Sequence, residues 1–236
     1  MKIIIPMAGK GSRFRDAGYK FPKALIDVNG KPMIQQVVKS LGLYDDYIFL
    51  VQREDYDKYQ MNHMLNLMEP TCKIVILDGV TEGAACTLLK AKHLIDNDEE
   101  LIIANSDLWI KWNAYDFVQK VQSDNVDGCI ATIKATEPTF SFAKVGEDGF
   151  VTEVAEKNPI SDDATVGVYY FKKGKDFVKY AERMIEKNIR TNNEFYTCPI
   201  YNQFIEDGKK ITIYQVEEYR GLGYPEDLKK NEKFIE

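Results

Sequence analysis

Residues 2–34 read KIIIPMAGKGSRFRDAGYKFPKALIDVNGKPMI, and the way this stretch opens decides the fold. The apolar run Ile3–Ile5 predicts a short buried β-strand. It passes through Pro6 into a glycine-bearing turn, Ala8-Gly9-Lys10-Gly11-Ser12-Arg13. Glycine lets backbone amides approach an anion closely, because no Cβ stands in the way. Several N–H groups facing one concavity make an anion site. Arg13 adds a forked cation suited to two-point contact with phosphate. Ten residues further on, Phe21-Pro22-Lys23-Ala24-Leu25 brings a second cation, Lys23, behind a proline that restricts its backbone.

Outward from this stretch, strand and helix patterns alternate. Met33, Ile34, Val37, Val38 and Leu41 form a helical stripe over Met33–Leu43, ending near Gly42. Tyr47–Val51, Lys73–Leu77 and Leu101–Ala104 are compact apolar strands. Helices are expected over Tyr56–Met68, broken by Pro70, and over Thr81–Leu94. Such alternation implies parallel strands joined by crossover helices. In open sheets of this kind, ligands lie at the carboxyl ends of strands. The glycine turn, the Asp78-Gly79 loop and the Asn105-Ser106-Asp107 turn all fall at such ends, so they converge on one pocket. From Gly128 the pattern changes to short strands split by Gly, Pro and Asp turns: Gly128–Ala135, Ala143–Val145, Gly149–Val154 and Thr165–Phe171. Helices follow over Asp176–Lys187 and Glu194–Ile205, then a strand at Ile211–Val216 and a charged helix at Pro225–Phe234. With no linker rich in Pro, Gly or Ser, the reading is a single α/β domain over residues 1–236. It is a three-layer α/β/α sandwich with a mostly parallel central sheet and a smaller antiparallel extension.

Composition bounds the function. The chain has 236 residues, 44% apolar and 29% charged, with a net charge of −6, in the range of soluble globular proteins. There is no basic excess to displace counterions from a nucleic-acid backbone. A local basic pocket for a nucleotide remains compatible with that balance. Cys72, Cys86, Cys129 and Cys198 are scattered, with no C-x-x-C pair, and only His63 and His93 provide imidazoles. A zinc site or disulfide framework is not expected, and free thiols suit a reducing cytoplasm. No apolar run has the length of a membrane span, and none has the form of a signal peptide. A homo-oligomer is compatible with the sequence but is not specified by it.

The opening stretch resembles the signature of the nucleoside-triphosphate:sugar-1-phosphate nucleotidyltransferases. Their pattern, G-x-G-[ST]-R, then P-K-x-L, then G-K-P-[ML]-[IL], is matched by Gly9–Arg13, Pro22–Leu25 and Gly30–Ile34. Three pieces in order after an N-terminal strand carry far more weight than a lone glycine pair. The resemblance implies a Rossmann-like (GT-A-like) fold and transfer of a nucleotidyl group from a nucleoside triphosphate to a phosphorylated small molecule. Mg²⁺ would be the cofactor, and the product an activated nucleotide-sugar, for surface polysaccharide in many relatives. It divides the chain into a nucleotide-binding half, 1–127, and an acceptor-binding half, 128–236. No nucleic acid or membrane partner is implied.

Residue by residue, the resemblance makes Arg13 and Lys23 catalytic, offsetting charge on the triphosphate and departing pyrophosphate. Met7, Ala8, Gly9, Gly11, Ser12 and Asn105 would bind the nucleotide, with Gly83 beside the base and Glu82 flanking it. Asp107, directly after the fourth strand, would hold the metal. Glu156 and Lys157 resemble the E-K-P element that contacts acceptor hydroxyls and phosphate, although Asn158 here precedes Pro159. Gly167 would back the acceptor pocket, with Asn193 and Glu194 facing it. One departure stands out. Relatives end with W-x-D-x-G-T-P-E, whose Asp is a second metal ligand, whereas this chain has Tyr219-Arg220-Gly221-Leu222-Gly223-Tyr224-Pro225-Glu226. Glycine at 221 has no side-chain oxygen. Glu194, Glu217, Glu218 or water would have to complete the metal site, or metal binding is altered. Two other classes stay open: a glycosyltransferase consuming a nucleotide-sugar, with Asn105-Ser106-Asp107 as a reduced D-x-D motif, and a nucleotide-binding protein without catalysis.

Overall fold

The computed structural model describes residues 1–235. Lys2–Pro6, Asp46–Gln52, Lys73–Leu77 and Leu101–Ala104 form the parallel part of a nine-stranded mixed sheet, with Lys2–Pro6 between Asp46–Gln52 and Leu101–Ala104. The apolar runs of the three inner strands follow from burial on both faces, whereas Lys73–Leu77 forms the sheet edge and is partly buried. Ile4, Ile48, Leu50, Leu101 and Ile103 face one core, with the helices Ala84–Leu89, Gly174–Glu186 and Ile200–Glu206. Ile3, Ile5, Tyr47, Phe49, Val51 and Ile102 face the other, with Met33–Leu41, Met61–Met68 and Ala114–Ser123. Period-two alternation therefore feeds two helix layers from one sheet, the expected three-layer sandwich.

The antiparallel extension hangs on Asp163–Phe171, all nine residues of which are buried. Val168–Phe171 pairs with Leu101–Ala104, whereas Ala164 pairs with Phe142 of the hairpin Ser141–Val145/Val151–Glu156. The strand thus forks between two partners. Gly167 sits at the fork with φ +83°, where the register against Gly128–Lys134 also shifts. A side chain there would bring its Cβ within 2.5 Å of Asn105 Nδ2, so the fork requires glycine. Ile211–Gln215 completes the sheet alongside Gly128–Lys134.

Five features differ from the sequence expectation. The helix expected over Tyr56–Met68 is two, Arg53–Tyr59 and Met61–Met68, broken at Gln60 with φ +49°. That expected over Thr81–Leu94 is Ala84–Leu89 and Lys92–Ile95, because Gly83 at φ +142° opens the chain before it coils. The Glu194–Ile205 helix begins only at Ile200. Its first part is held extended: Phe195 N–H donates to the Glu82 carbonyl, and Ala85 N–H donates to the Phe195 carbonyl. A two-stranded ribbon, Leu108–Lys111 with Glu218–Gly221, and the helix Ala114–Ser123, which buries Phe117 and Val121 one turn apart, are additions to the expected elements. The ribbon matters for function, because it delivers the C-terminal segment to Asp107.

Candidate active site

The carboxyl ends of the parallel strands open into a cavity of about 690 Å³. One wall is the glycine turn. The Lys2–Pro6 strand stops at Pro6, and Gly11, at φ +57°, caps a short helix, Ser12–Asp16. Gln52 fixes the turn from below, its amide donating to the Ala8 carbonyl at 2.7 Å and to the Gly79 carbonyl at 2.9 Å. This ties the first loop to the loop after Leu77, so both line the cavity at a set spacing. Lys23 reaches in from a single 3₁₀ turn, Lys23–Leu25, started by Pro22. Its Nζ donates to Asp107 Oδ2 at 2.8 Å, with both side chains about a quarter exposed. An ammonium carries three donors, so Lys23 keeps two for an anion in the cavity while the carboxylate fixes its position.

The far wall is built from side chains. The Ser141 hydroxyl donates to Glu156, whose carboxyl is pushed up by burial, partly countered by the Ser141 bond and by Lys157. Lys157 holds a left-handed backbone, φ +55°, and its ammonium donates to the Tyr196 hydroxyl at 2.5 Å while lying 4.4 Å from that ring's centre. Burial raises the Tyr196 phenol, and the nearby Glu194 carboxylate adds to the rise. Thr165 and Tyr169 share a hydroxyl contact of 3.1 Å on the floor, beside Gly167. Asn105 N–H donates to the Gly167 carbonyl at 2.8 Å, joining the floor to the end of the Leu101–Ala104 strand.

Of the residues singled out from sequence, Ala8, Gly9, Gly11, Ser12, Arg13, Lys23, Gly83, Asn105, Asp107, Glu156, Lys157, Gly167 and Glu194 line this one cavity. Met7, Glu82 and Asn193 do not. Met7 is buried in the apolar core because it still follows the strand's inward register. Glu82 points to solvent and pairs with Arg190, and the Asn193 carbonyl accepts from the same arginine at 3.1 Å. Gly83 has a packing reason for being glycine: a Cβ there would lie 2.5 Å from the backbone of Phe195. Ser141, Tyr196, Tyr219 and Tyr224 line the cavity without having been assigned a role from sequence. The left-handed Lys157 and its bond to Tyr196 depend on long-range packing that no local pattern encodes.

The candidates for a second acidic ligand do not gather at Asp107. Glu217 pairs with Lys111 at 3.3 Å, Glu218 is bonded to Arg220, and neither lines the cavity. Glu194 lines it, but on the far wall near Tyr196 and Glu156. A Cβ at Gly221 would meet the Tyr219 hydroxyl at 3.1 Å, and one at Gly223 would meet Asp107 Oδ2 at 2.7 Å. Among the described residues no group of three or more metal-ligating side chains exists. Asp107 alone fits a cation that is bound mostly through substrate phosphates and water, the manner usual for magnesium.

The fold and this cavity define an α/β protein with a polar site at the carboxyl ends of its parallel strands, and comparison with known proteins carries the assignment further. The nucleotidyl transferase family model matches residues 2–235, and the chain belongs to that family. The bifunctional protein GlmU of Methanocaldococcus jannaschii is 24% identical over 239 residues, all of this chain and 54% of its own length. The UTP–glucose-1-phosphate uridylyltransferase AglF of Haloferax volcanii is 22% identical, with all of this chain and 97% of that protein covered. A nucleoside-diphosphate-sugar pyrophosphorylase from Vibrio cholerae RC9 superposes with a TM-score of 0.85 at 25% identity, covering 98% of this chain and 99% of the other. The chain spans about half the length of the GlmU protein and of a mannose-1-phosphate guanyltransferase relative, 54% and 49%.

Proposed function

We propose that this protein transfers an NMP group from a nucleoside triphosphate to a sugar-1-phosphate or a similar phosphorylated small molecule, releasing pyrophosphate and forming an activated nucleotide-sugar. The observation that carries the reading is the pairing of two unlike walls across one cavity. The Gly9–Arg13 turn with Lys23 and Asp107 faces Glu156 and Lys157. In this reading residues 1–127 supply most of the nucleotide site and residues 128–236 the acceptor site. The acceptor wall offers Ser141, Glu156, Thr165 and Glu194, hydrogen-bonding groups suited to a hydroxyl-rich acceptor. The family names of the relatives, which include glucose-1-phosphate uridylyl and mannose-1-phosphate guanyl transfer, support the same class.

A phosphate oxygen of the acceptor attacks the α-phosphorus, and the bond from that phosphorus to the pyrophosphate oxygen breaks. The nucleophile is already anionic near neutral pH, so alignment and charge neutralisation suffice. Lys157 holds the acceptor phosphate, Glu156 takes acceptor hydroxyls, and the turn amides with Arg13 and Lys23 hold the polyphosphate. Mg²⁺, held by Asp107 and the triphosphate, would add neutralising charge. Among the described residues no helix is long and apolar enough to cross a membrane. The four free thiols support a cytoplasmic setting.

The test is pyrophosphate release with each of CTP, UTP, dTTP, GTP and ATP against a panel of sugar-1-phosphates and phospho-alcohols, with Mg²⁺ present. Acceptor-dependent pyrophosphate with one triphosphate establishes the reaction. Nucleoside diphosphate released from a nucleotide-sugar would replace it with glycosyl transfer.

A further inference from the structure

Arg13 has an unusual setting. Its guanidinium lies 4.2 Å from the centre of the Tyr224 ring. Among the described residues it donates to no protein acceptor and forms no ion pair, so its hydrogen-bonding edge is open to the cavity that both residues line. A guanidinium lying over an aromatic face makes that contact without using its N–H donors, which stay available to a ligand. The ring itself is well placed to fix its position. Tyr224 precedes the helix Pro225–Asn231, its carbonyl accepting from Leu228 N–H at 2.9 Å. Two residues upstream, Leu222 N–H donates to the Asp107 carbonyl at 2.8 Å, and Asn231 Nδ2 donates to the Gly221 carbonyl at 2.9 Å. The 221–225 strap is thereby bonded both to Asp107 and to its own helix. Flexible arginines lose rotamer freedom on binding, and an arginine already held in one plane loses less.

We propose that Tyr224 is a positioning residue for Arg13: its ring holds the guanidinium, with its N–H donors unpaired, at the polyphosphate's place before the nucleotide arrives. This rests on the nucleotidyl-transfer reading, since it assigns the polyphosphate to Arg13. The C-terminal strap then serves the nucleotide wall, although it lies in the half of the chain otherwise given to the acceptor. It also gives the C-terminal segment, where a second acidic ligand is missing at Gly221, a distinct part in triphosphate binding.

The experiment is a double-mutant cycle on the full chain with Tyr224→Phe, Tyr224→Leu, Arg13→Ala and Arg13→Ala/Tyr224→Leu, read as kcat/KM for the triphosphate and KM for the acceptor. Tyr224→Phe keeps the aromatic face and is expected to stay within about twofold of wild type. Tyr224→Leu is expected to lower kcat/KM for the triphosphate about three- to tenfold, with acceptor KM unchanged and no further loss when Arg13 is already alanine. Equal losses in both backgrounds, or a Phe variant as impaired as Leu, would overturn the proposal, because a purely structural strap does not need Arg13. Tyr224 is 37% exposed and makes no side-chain cap bond, so the substitutions leave the core intact; Tyr224→Ala provides a second apolar variant. If the wild type releases no pyrophosphate with any substrate pair, the functional reading fails by itself. Calorimetric binding of inorganic pyrophosphate to wild type and Tyr224→Leu then decides the positioning role: weaker binding by the variant supports it, and equal or undetectable binding by both overturns it.

Discussion

The two walls of the cavity are made differently. The glycine turn presents backbone and cations from one contiguous piece of chain, residues 8–14, joined by Lys23, Asn105 and Asp107 from other segments. The acceptor wall is assembled from four separated segments around 139–141, 156–157, 165–169 and 194–198, whose side chains already bond to one another. On the proposed reading, backbone amides would recognise what all triphosphates share, and the side-chain network of the second wall, whose members can be exchanged one at a time, would set acceptor choice.

The largest expected effect tests the first wall. Lys23→Ala removes the cation held by Asp107 and should lower pyrophosphate formation about a hundred- to a thousandfold. The pair opens to the cavity with both side chains about a quarter exposed, so it contributes about 1 kcal/mol or less to stability and the melting temperature should move little. Near-normal turnover would dissolve the contrast, since the first wall would then not be catalytic.

A pair of glycine substitutions sharpens it. Gly167→Ala places a methyl 2.5 Å from Asn105 Nδ2 at φ +83°, and should cost about 1–3 kcal/mol in urea unfolding. Gly9→Ala meets nothing within 4 Å and has no positive φ, so stability should stay within about 0.5 kcal/mol while turnover falls, as the methyl enters the phosphate space. Should the two variants exchange behaviours, the division between a structural floor and a functional turn is wrong. On the acceptor wall, Glu156→Gln should raise acceptor KM about tenfold and leave triphosphate KM unchanged, corresponding to one lost charge-assisted hydrogen bond.

The smallest effect is a pH dependence of stability. Burial raises the Glu156 carboxyl, so the folded protein binds that proton more tightly than the unfolded chain. Stability from this group is therefore full below the ordinary glutamate value of about 4.3 and declines as pH rises through the raised folded value. Glu156→Gln lacks this penalty. Its melting temperature relative to wild type should rise across that window and level off above it. A difference that is flat in pH would mean the carboxylate is better solvated or compensated than its burial indicates.

Much of this was legible because strands and contiguous turns leave local signals. Lys73–Leu77 and Leu101–Ala104 match the sequence reading residue for residue: the second is apolar throughout because it is buried on both faces, the first keeps its apolar run Ile74–Leu77 at the sheet edge. Lys23 and Asp107, 84 positions apart, meet because both lie at the carboxyl edge that the strand order dictates. What was not legible depends on distant backbone. The segment before Ile200 has the composition of a helix start, yet Phe195 is claimed by Glu82 and Ala85 more than a hundred residues earlier. Tyr196 and Tyr224 read as ordinary aromatics; only the fold brings each against a cation.

The stitch between Gly83 and Phe195 has a practical consequence for building chimeras. Arg190 lies over the Phe195 ring at 3.9 Å and pairs with Glu82, while Gly83 makes room for the Phe195 backbone. The 188–196 loop is therefore not a cassette. Grafting a relative's acceptor loop into this scaffold requires transplanting residues 82–85 with it, so that changing what one half accepts means carrying along a piece of the other.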